Sequence, residues 1–406
     1  MPDAIEGMPR HMNAQAATAE HREAPLPPEA LAMRAVHRAV SDLRRGTPVL
    51  VQGGAGPGLL VAAAETVGAQ GLSELLTAAA APPVLLLSPV RAAALAHRPM
   101  PAHSADGEAV ALRLPPELAS PERLRALADP TAELLLGPEG QPGERAPTPA
   151  LGALALSLAK LGRLLPALVA APARERAAGQ GGAIMALDAG ALAAYPLSAA
   201  TTLRRVGEAH VPLEDAKDTR IVAFRAADGG IEHLAMLVGA PEHLVAEGGA
   251  PLARVHSECF TGDLLGSLRC DCGPQLRGAL RRMAEAGAGV LLYLAQEGRG
   301  IGLVNKLRAY TLQDAGLDTL DANRALGYGA DERNFLVAAT MLRELGIPRV
   351  RLLTNNPDKL AALAACGIEV AGREAHAFAG NGVNDRYLAT KAERFGHMLP
   401  EAGQEG

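Results

Sequence analysis

Aromatic side chains are scarce in this chain of 406 residues, with five tyrosines, five phenylalanines and no tryptophan. The scarcity is uneven. The first 200 residues hold a single aromatic, Tyr195, and no cysteine, whereas nine of the ten aromatics and all four cysteines follow. The chain therefore reads as two halves of different chemistry. An excess of positive charge is also lacking. With 39 Lys and Arg against 44 Asp and Glu, the formal net charge is −5. That excludes a dedicated nucleic-acid binder held by phosphate neutralisation, but leaves room for a local basic pocket around one small anion. No apolar run reaches the roughly 18–20 residues of a membrane helix. The longest uncharged stretch, residues 46–64, is broken by glycines and prolines. Acids, bases and prolines stand at the N-terminus where a signal peptide would have its apolar core. We expect a soluble, cytoplasmic protein with no nucleic-acid or membrane partner. No fixed-period repeat of the solenoid kind is present. Four cysteines do not make a disulfide scaffold. What remains, 49% hydrophobic and 20% charged, is enough to bury cores in two or three domains.

The placement of the cysteines is informative. Cys259, Cys270 and Cys272 fall within fourteen residues, and Cys366 stands apart in a helix-like run where a small buried hydrophobe is expected. Three thiols at C-x10-C-x-C can meet at one tetrahedral zinc ion, with Asp271, Gly273 and Pro274 supplying the turn. A structural site closed by His256 and a catalytic site with an open fourth position both fit that spacing. The polar company of Arg254, His256, Ser257, Glu258, Arg269 and Gln275 exceeds what a structural clip needs and favours a polar ligand.

Periodicity places helices at residues 32–45 and 303–313, and strands at 47–51, 83–87, 288–294 and 350–354. A loop is expected at 137–149. After the strand at 288–294, the turn Gln296-Glu-Gly-Arg-Gly-Ile-Gly302 combines glycines with a carboxylate and a guanidinium. Backbone N–H groups there can approach phosphate oxygens, and the fork of Arg299 suits phosphate. On the next helix Lys306 and Tyr310 share a face, while Arg308 points elsewhere. After the strand at 350–354, Asn356 suits an N-cap and Pro357 the first helical position. Asp331 and Glu332 before an apolar run are ordinary dipole partners of a helix start, and a lone lysine such as Lys359 is ordinarily solvated. Strand–loop–helix units of this sort place ligands at the carboxyl ends of their strands.

Residues from about 203 to 399 resemble the GTP cyclohydrolase II family. The resemblance rests on Arg254-Val-His-Ser-Glu-Cys259, Ser267-Leu-Arg-Cys270-Asp-Cys272-Gly, Gln296-Glu-Gly-Arg299, Asn305-Lys-Leu-Arg-Ala-Tyr310, Ala330-Asp-Glu-Arg333 and Leu352-Leu-Thr-Asn-Asn-Pro357. It implies release of formate and pyrophosphate from GTP in the first step of riboflavin biosynthesis. The product would be 2,5-diamino-6-ribosylamino-4(3H)-pyrimidinone 5′-phosphate. It further implies one zinc per chain on Cys259, Cys270 and Cys272, and points away from His256 as a ligand. GTP would be held by Arg254, Val255, His256, Ser257, Glu258, Gln275, Glu297, Gly298, Arg299, Thr319, Thr354 and Lys359. Asp331 matches the family's proton acceptor, Arg333 its proposed nucleophile toward the α-phosphate and Tyr310 an active-site tyrosine. Mg²⁺ bound through the triphosphate and a homodimer are implied as well. A guanidinium has no free lone pair, so we read Arg333 as a stabiliser of transition-state charge.

The first half is similar to the 3,4-dihydroxy-2-butanone 4-phosphate synthase family in the order of residues 46–51, 60–65 and 85–91. Its chemistry is missing. Where that family binds Mg²⁺ through an acidic run, this chain has Gln52-Gly-Gly-Ala-Gly-Pro-Gly58, and no histidine lies between His103 and His210. Without carboxylates there is no hard-cation site, and the glycines lack the Lys-Ser/Thr of a phosphate-binding Walker loop. The expected fold class is α/β: a mixed-sheet α/β cyclohydrolase domain at 201–400, preceded at 26–200 by a degenerate, catalytically inert α+β synthase-like domain. Residues 1–25 are expected to be a flexible N-terminus and 401–406 a tail. A nucleotide-binding regulator without turnover is the alternative from another class, and a bifunctional enzyme is disfavoured by the missing acids.

Overall fold

The computed structural model describes residues 27–54, 56–96, 108–132, 144–174 and 184–398. The expected N-terminal segment and tail, and most of the loop expected at 137–149, lie outside them. Two seven-stranded sheets organise the chain. The first contains β1 (Val49–Gln52), β2 (Leu59–Ala63), β3 (Val84–Leu87), β4 (Val110–Arg113), β5 (Arg145–Ala146), β6 (Ala167–Pro172) and β7 (Met185–Asp188), in the order β5-β4-β3-β6-β2-β1-β7. All its pairs are antiparallel except β1 with β7. The second contains β8 (Arg204–His210), β9 (Thr219–Arg225), β10 (His233–Gly239), β11 (Leu252–Ser257), β12 (Ala288–Leu294), β13 (Arg349–Leu353) and β14 (Glu369–Glu374), in the order β14-β13-β11-β12-β10-β9-β8. It is mixed: β11 pairs in parallel with β12 and β13, and β13 with β14, while the pairs β12–β10, β10–β9 and β9–β8 are antiparallel.

At the centre of this sheet β12 is a near-continuous apolar run, as a strand with helices over both faces requires. Leu336–Glu344 and Pro357–Ala365 pack on one face of the second sheet, around Val255, Leu292, Met341 and Leu352. Cys272–Glu285 packs on the other, around Ala279, Met283 and Leu291. Parallel register aligns the carboxyl ends of β11 and β12, with Ser257 opposite Leu294. The segments that follow β11, β12 and β13 therefore emerge side by side, which is where an α/β sheet presents its ligand site.

The two halves share a core. Ile301, Ala309, Ala322, Leu326 and Tyr328 join Leu50, Leu60, Leu85, Leu87 and Val169 in one buried cluster. Two helices of the second half, Leu303–Asp314 and Thr319–Ala325, thus pack against a face of the first sheet. The opposite face is covered by Pro28–Arg44, Gly152–Leu161 and Ala189–Thr201.

Two expectations are corrected. Asp331 and Glu332 do not begin a helix; the helix starts at Leu336, and residues 331–334 form an irregular loop. Lys359 is not solvated but buried, with Nζ donating to the carbonyl of Val255 at 2.9 Å. Asn356 does cap its helix, its side chain accepting from the Asp358 N–H with Pro357 at the first helical position. Cys366 is half-buried at that helix's end, packed on the core.

Candidate active site

The three sulfurs of Cys259, Cys270 and Cys272 lie within 4.8 Å of one another. Cys259 follows β11, and Cys272 opens the helix Cys272–Glu285. Sγ of Cys259 and Cys270 are 3.8 Å apart. A tetrahedral ion with Zn–S bonds of about 2.3 Å requires S–S edges of about 3.8 Å. The backbone is shaped to this cluster. A Cβ on Gly262 would sit 2.7 Å from the Cys270 sulfur and 2.9 Å from that of Cys259. Hydrogen bonds from Cys270 and Cys272, helped by Lys306 and opposed by burial, hold the Cys259 thiol far below its usual range. The shared contact with Cys259 pushes Cys270 up to about 11, and Cys272 also rises. Three crowded thiols accommodate one negative charge poorly beyond the first; a divalent cation would take all three as thiolates. The residues therefore fit a zinc ion.

His256 is not part of this set. Its Nε2 lies 3.1 Å from both carboxylate oxygens of Asp263, its ring stacks on Tyr293, and Asp263 also accepts from the Cys259 N–H at 2.9 Å and the Tyr293 hydroxyl at 3.0 Å. Burial, only partly countered by Asp263, lowers its pKa. Neutral His256 donates to Asp263 and leaves Nδ1 as a buried acceptor without a partner among the described residues.

One cavity joins the cysteines to the ends of β11, β12 and β13. Arg254, His256, Ser257, Glu258, Gln275, Glu297, Gly298, Arg299, Thr319, Thr354 and Lys359 line it with Tyr310 and Arg333. Two of the named residues are placed otherwise. The Val255 side chain lies in the core and contributes its carbonyl, and Asp331 stands behind Arg333, accepting at Oδ1 from its Nε at 2.7 Å and at Oδ2 from Nη2. Burial raises the Asp331 carboxyl, but the hydrogen bonds and charge of Arg333 outweigh it and hold the group below the carboxylate range. Gly298 and Arg299 take positive φ of 63° and 64°, turning the chain after β12 toward the cavity.

Cations crowd this space. Burial, and then the charges of Arg254 and Arg333, pull the Lys359 ammonium well below the lysine range. Burial lowers Arg254 to about 10 and also lowers Arg299. Arg254 Nε and Arg299 Nη1 are buried without a hydrogen-bond partner among the described residues. Buried, mutually repelling and underused donors are what a polyanion would satisfy.

Comparison with known proteins decides the family. A family model described as GTP cyclohydrolase II matches residues 204–375. A GTP cyclohydrolase-2 of Azospirillum brasilense is 49% identical over 392 residues, 93% of this chain and 97% of that protein. The chain belongs to the GTP cyclohydrolase II family. It is thus a hydrolase of riboflavin biosynthesis. Shorter GTP cyclohydrolase-2 relatives are similar over about half the chain: that of Pasteurella multocida is 50% identical over 197 residues, covering 48% of this chain and 88% of the relative. That of Pseudomonas paraeruginosa is 54% identical over 176 residues, covering 43% and 84%. Among solved structures, a two-domain 3,4-dihydroxy-2-butanone 4-phosphate synthase from A. baumannii is 20% identical, covering 84% of this chain and 99% of its own, with a TM-score of 0.30.

Other cavity residues of this cyclohydrolase family member had an ambiguous sequence signal or none. Lys306, which spacing left between a solvated face and a function, donates to Cys259 Sγ and Thr261 Oγ1 at 2.9 Å and to Glu297 Oε1 at 2.8 Å. Tyr310 lies beside it, with its hydroxyl 3.3 Å from Thr261 Oγ1. Beyond the matched segment, the helix Asp385–Phe395 closes one side of the cavity with Tyr387 and Lys391, followed by His397. Lys391 Nζ is 2.6 Å from Asp271 Oδ1, and the Arg299 guanidinium lies 3.7 Å from the centre of the Phe395 ring. An ordinary amphipathic helix carries these groups, so only the tertiary structure brings them to the site.

Two histidines beside the site predict acid sensitivity. His233 accepts from the Ala295 N–H at 3.0 Å, and His376 lies 2.8 Å from the Gln275 carbonyl. Burial, with Arg163 for the first and Arg254 for the second, lowers each to about 4 from an ordinary 6.5. Between those values the unfolded chain binds more protons than the folded one, so stability is complete above about pH 6.5 and falls toward pH 4. The limit is roughly 3 kcal/mol per histidine. Urea unfolding at pH 7, 6, 5 and 4.5 should show this decline, and His376→Gln should flatten it. An unchanged slope in the variant would contradict the assignment.

Proposed function

We propose that this chain is a zinc-dependent GTP cyclohydrolase II that converts GTP to 2,5-diamino-6-ribosylamino-4(3H)-pyrimidinone 5′-phosphate, releasing formate and pyrophosphate. The observation that carries the reading is the meeting, in one cavity, of a three-thiol cluster of zinc dimensions with two arginine N–H groups, Arg254 Nε and Arg299 Nη1, that are buried without a partner among the described residues. Cys259, Cys270 and Cys272 would hold the zinc, which when bound supplies a Lewis acid able to make water nucleophilic near neutral pH. Arg254, Arg299, Arg333 and Lys359 supply charge for the triphosphate, which would bring Mg²⁺ with it. Gln275 is held between Asp271 and Arg254, its Nε2 donating to Asp271 Oδ2 at 2.6 Å and its Oε1 accepting from the Arg254 guanidinium. It is therefore fixed in orientation for a base or ribose edge. Ser257, Glu258, Glu297, Gly298, Thr319 and Thr354 complete the GTP contacts, Val255 contributing through its main chain.

Asp331, kept ionised by Arg333, is the proton acceptor, and Arg333 stabilises charge developing on the α-phosphate as pyrophosphate departs. Tyr310 positions the cysteine loop through Thr261. Residues 26–200 form an inert domain, since the turn between β1 and β2 carries no carboxylate, and residues 201–400 form the catalytic one. The working form is a cytoplasmic homodimer. Incubating purified protein with GTP and Mg²⁺ tests the reading. It requires formate and pyrophosphate in equal amounts, with the diaminopyrimidinone identified by mass; GTP binding without formate would leave a nucleotide-binding regulator instead.

A further inference from the structure

The first half has no role in the chemistry above, yet its corner at residues 160–166, between the helix Gly152–Leu161 and β6, touches three segments that build the cavity. Lys160 Nζ lies 2.5 Å from Glu332 Oε1, the oxygen that also accepts from the Gly329 N–H at 2.6 Å. Glu332 stands between Asp331 and Arg333, and its own N–H donates to the Arg299 carbonyl at 3.1 Å. Arg163 Nη2 donates to the carbonyl of Ala295, just before the Arg299 turn, at 2.7 Å. The Arg163 carbonyl accepts from Asn305 Nδ2 at 2.9 Å, at the start of the helix that carries Lys306 and Tyr310. The Arg163 side chain also fills the space beside Gly302, where a Cβ would meet it at 2.9 Å. The Tyr328 hydroxyl donates to the Leu164 carbonyl at 2.6 Å.

Backbone conformation singles out the same junction. Among the described residues only Arg163 and Arg299 are non-glycine residues at positive φ. Such conformations persist where surrounding contacts over-determine them. The 331–334 loop belongs to no helix or strand, so its position depends on a few side-chain anchors. One of these comes from the other half of the chain.

We infer that this corner is a positioning element of the active site: Lys160, acting through Glu332, and Arg163, acting through Ala295 and Asn305, hold the Asp331–Arg333 loop and the Arg299 turn in place. The inference rests on the proposed cyclohydrolase reaction for its kinetic consequence, though not for its structural one. Small misplacements of groups that act in the transition state cost rate more than binding.

The test uses the full chain with Lys160→Ala, Lys160→Arg and Glu332→Gln. In Lys160→Ala the kcat for formate release should fall about tenfold, with KM for GTP within about twofold. The pair keeps about a quarter of its side-chain surface in water and contributes modest stability, so the melting midpoint should move by no more than about 3 °C. Lys160→Arg should restore most of the rate, and Lys160→Ala should add little to Glu332→Gln, as expected for one shared contact. Amide exchange across residues 329–334 should quicken in Lys160→Ala. Unchanged kcat with unchanged exchange would overturn the inference; so would a rate loss that tracks zinc loss and a large drop in midpoint. Should the unaltered protein release no formate, the proposed reaction fails, while amide exchange alone still decides the positioning role.

Discussion

Cys270→Ser in the full chain is expected to lose its zinc and to release formate at least about 1000-fold more slowly, an effect of about 4 kcal/mol on the barrier. The reason lies in the geometry of the cluster. Cys270 sits 3.8 Å from Cys259, buried, with Gly262 packed against both sulfurs. A serine hydroxyl is shorter in reach and ionises far less readily than a thiol, so the remaining pair cannot hold the ion as three thiolates do. Elemental analysis of the variant, beside a formate assay, reads both parts. Full zinc content with full rate would remove the cluster from the chemistry. Loss of zinc with retained rate would make it a structural clip.

Arg333→Ala should be nearly as damaging, with formate and pyrophosphate release both slowed about 1000-fold. Arg333 lies between the cavity and Asp331, with Nη1 3.5 Å from Ser257 Oγ. Its loss removes a cation from the cavity and the ion-pair partner that holds the Asp331 carboxyl below the carboxylate range. Arg333→Lys should recover part of the rate, because charge is kept while the fork is lost. A guanidinium offers donors only, so rapid quenching with α-phosphate-labelled GTP should trap no adduct at Arg333. A nucleotide covalently attached there would contradict the charge-stabilising role and restore the family's proposed nucleophile.

Much of the site was legible because its chemistry is encoded in short segments. The thiol spacing, the Gly298–Arg299 turn and the Asn356–Pro357 cap each carry their own local physics, and parallel register brings the three strand ends together. β12 was readable from its uninterrupted apolar run, which only a strand buried on both faces tolerates. Local rules failed where burial overrode them. Lys359 looks like a surface lysine until the strands around it are assembled, and Asp331 and Glu332 look like dipole partners of a helix that begins later. The wall made by Tyr387, Lys391 and His397, and the contact of Lys160 with Glu332 across 172 positions of sequence, are long-range pairings with no local signature. The shared core of the two halves was hidden for the same reason: Ile301, Ala309 and Tyr328 read as apolar positions of their own domain, and only packing shows that they also cover the first sheet.

The most direct test of the account is to measure zinc and formate on one preparation of the unaltered protein, before chelation, after it, and after zinc is returned. The account predicts about one zinc per chain, formate produced from GTP with Mg²⁺, its loss on chelation and its return with zinc. Zinc-free protein that still releases formate at the full rate, or zinc-loaded protein that binds GTP and releases none, would contradict it.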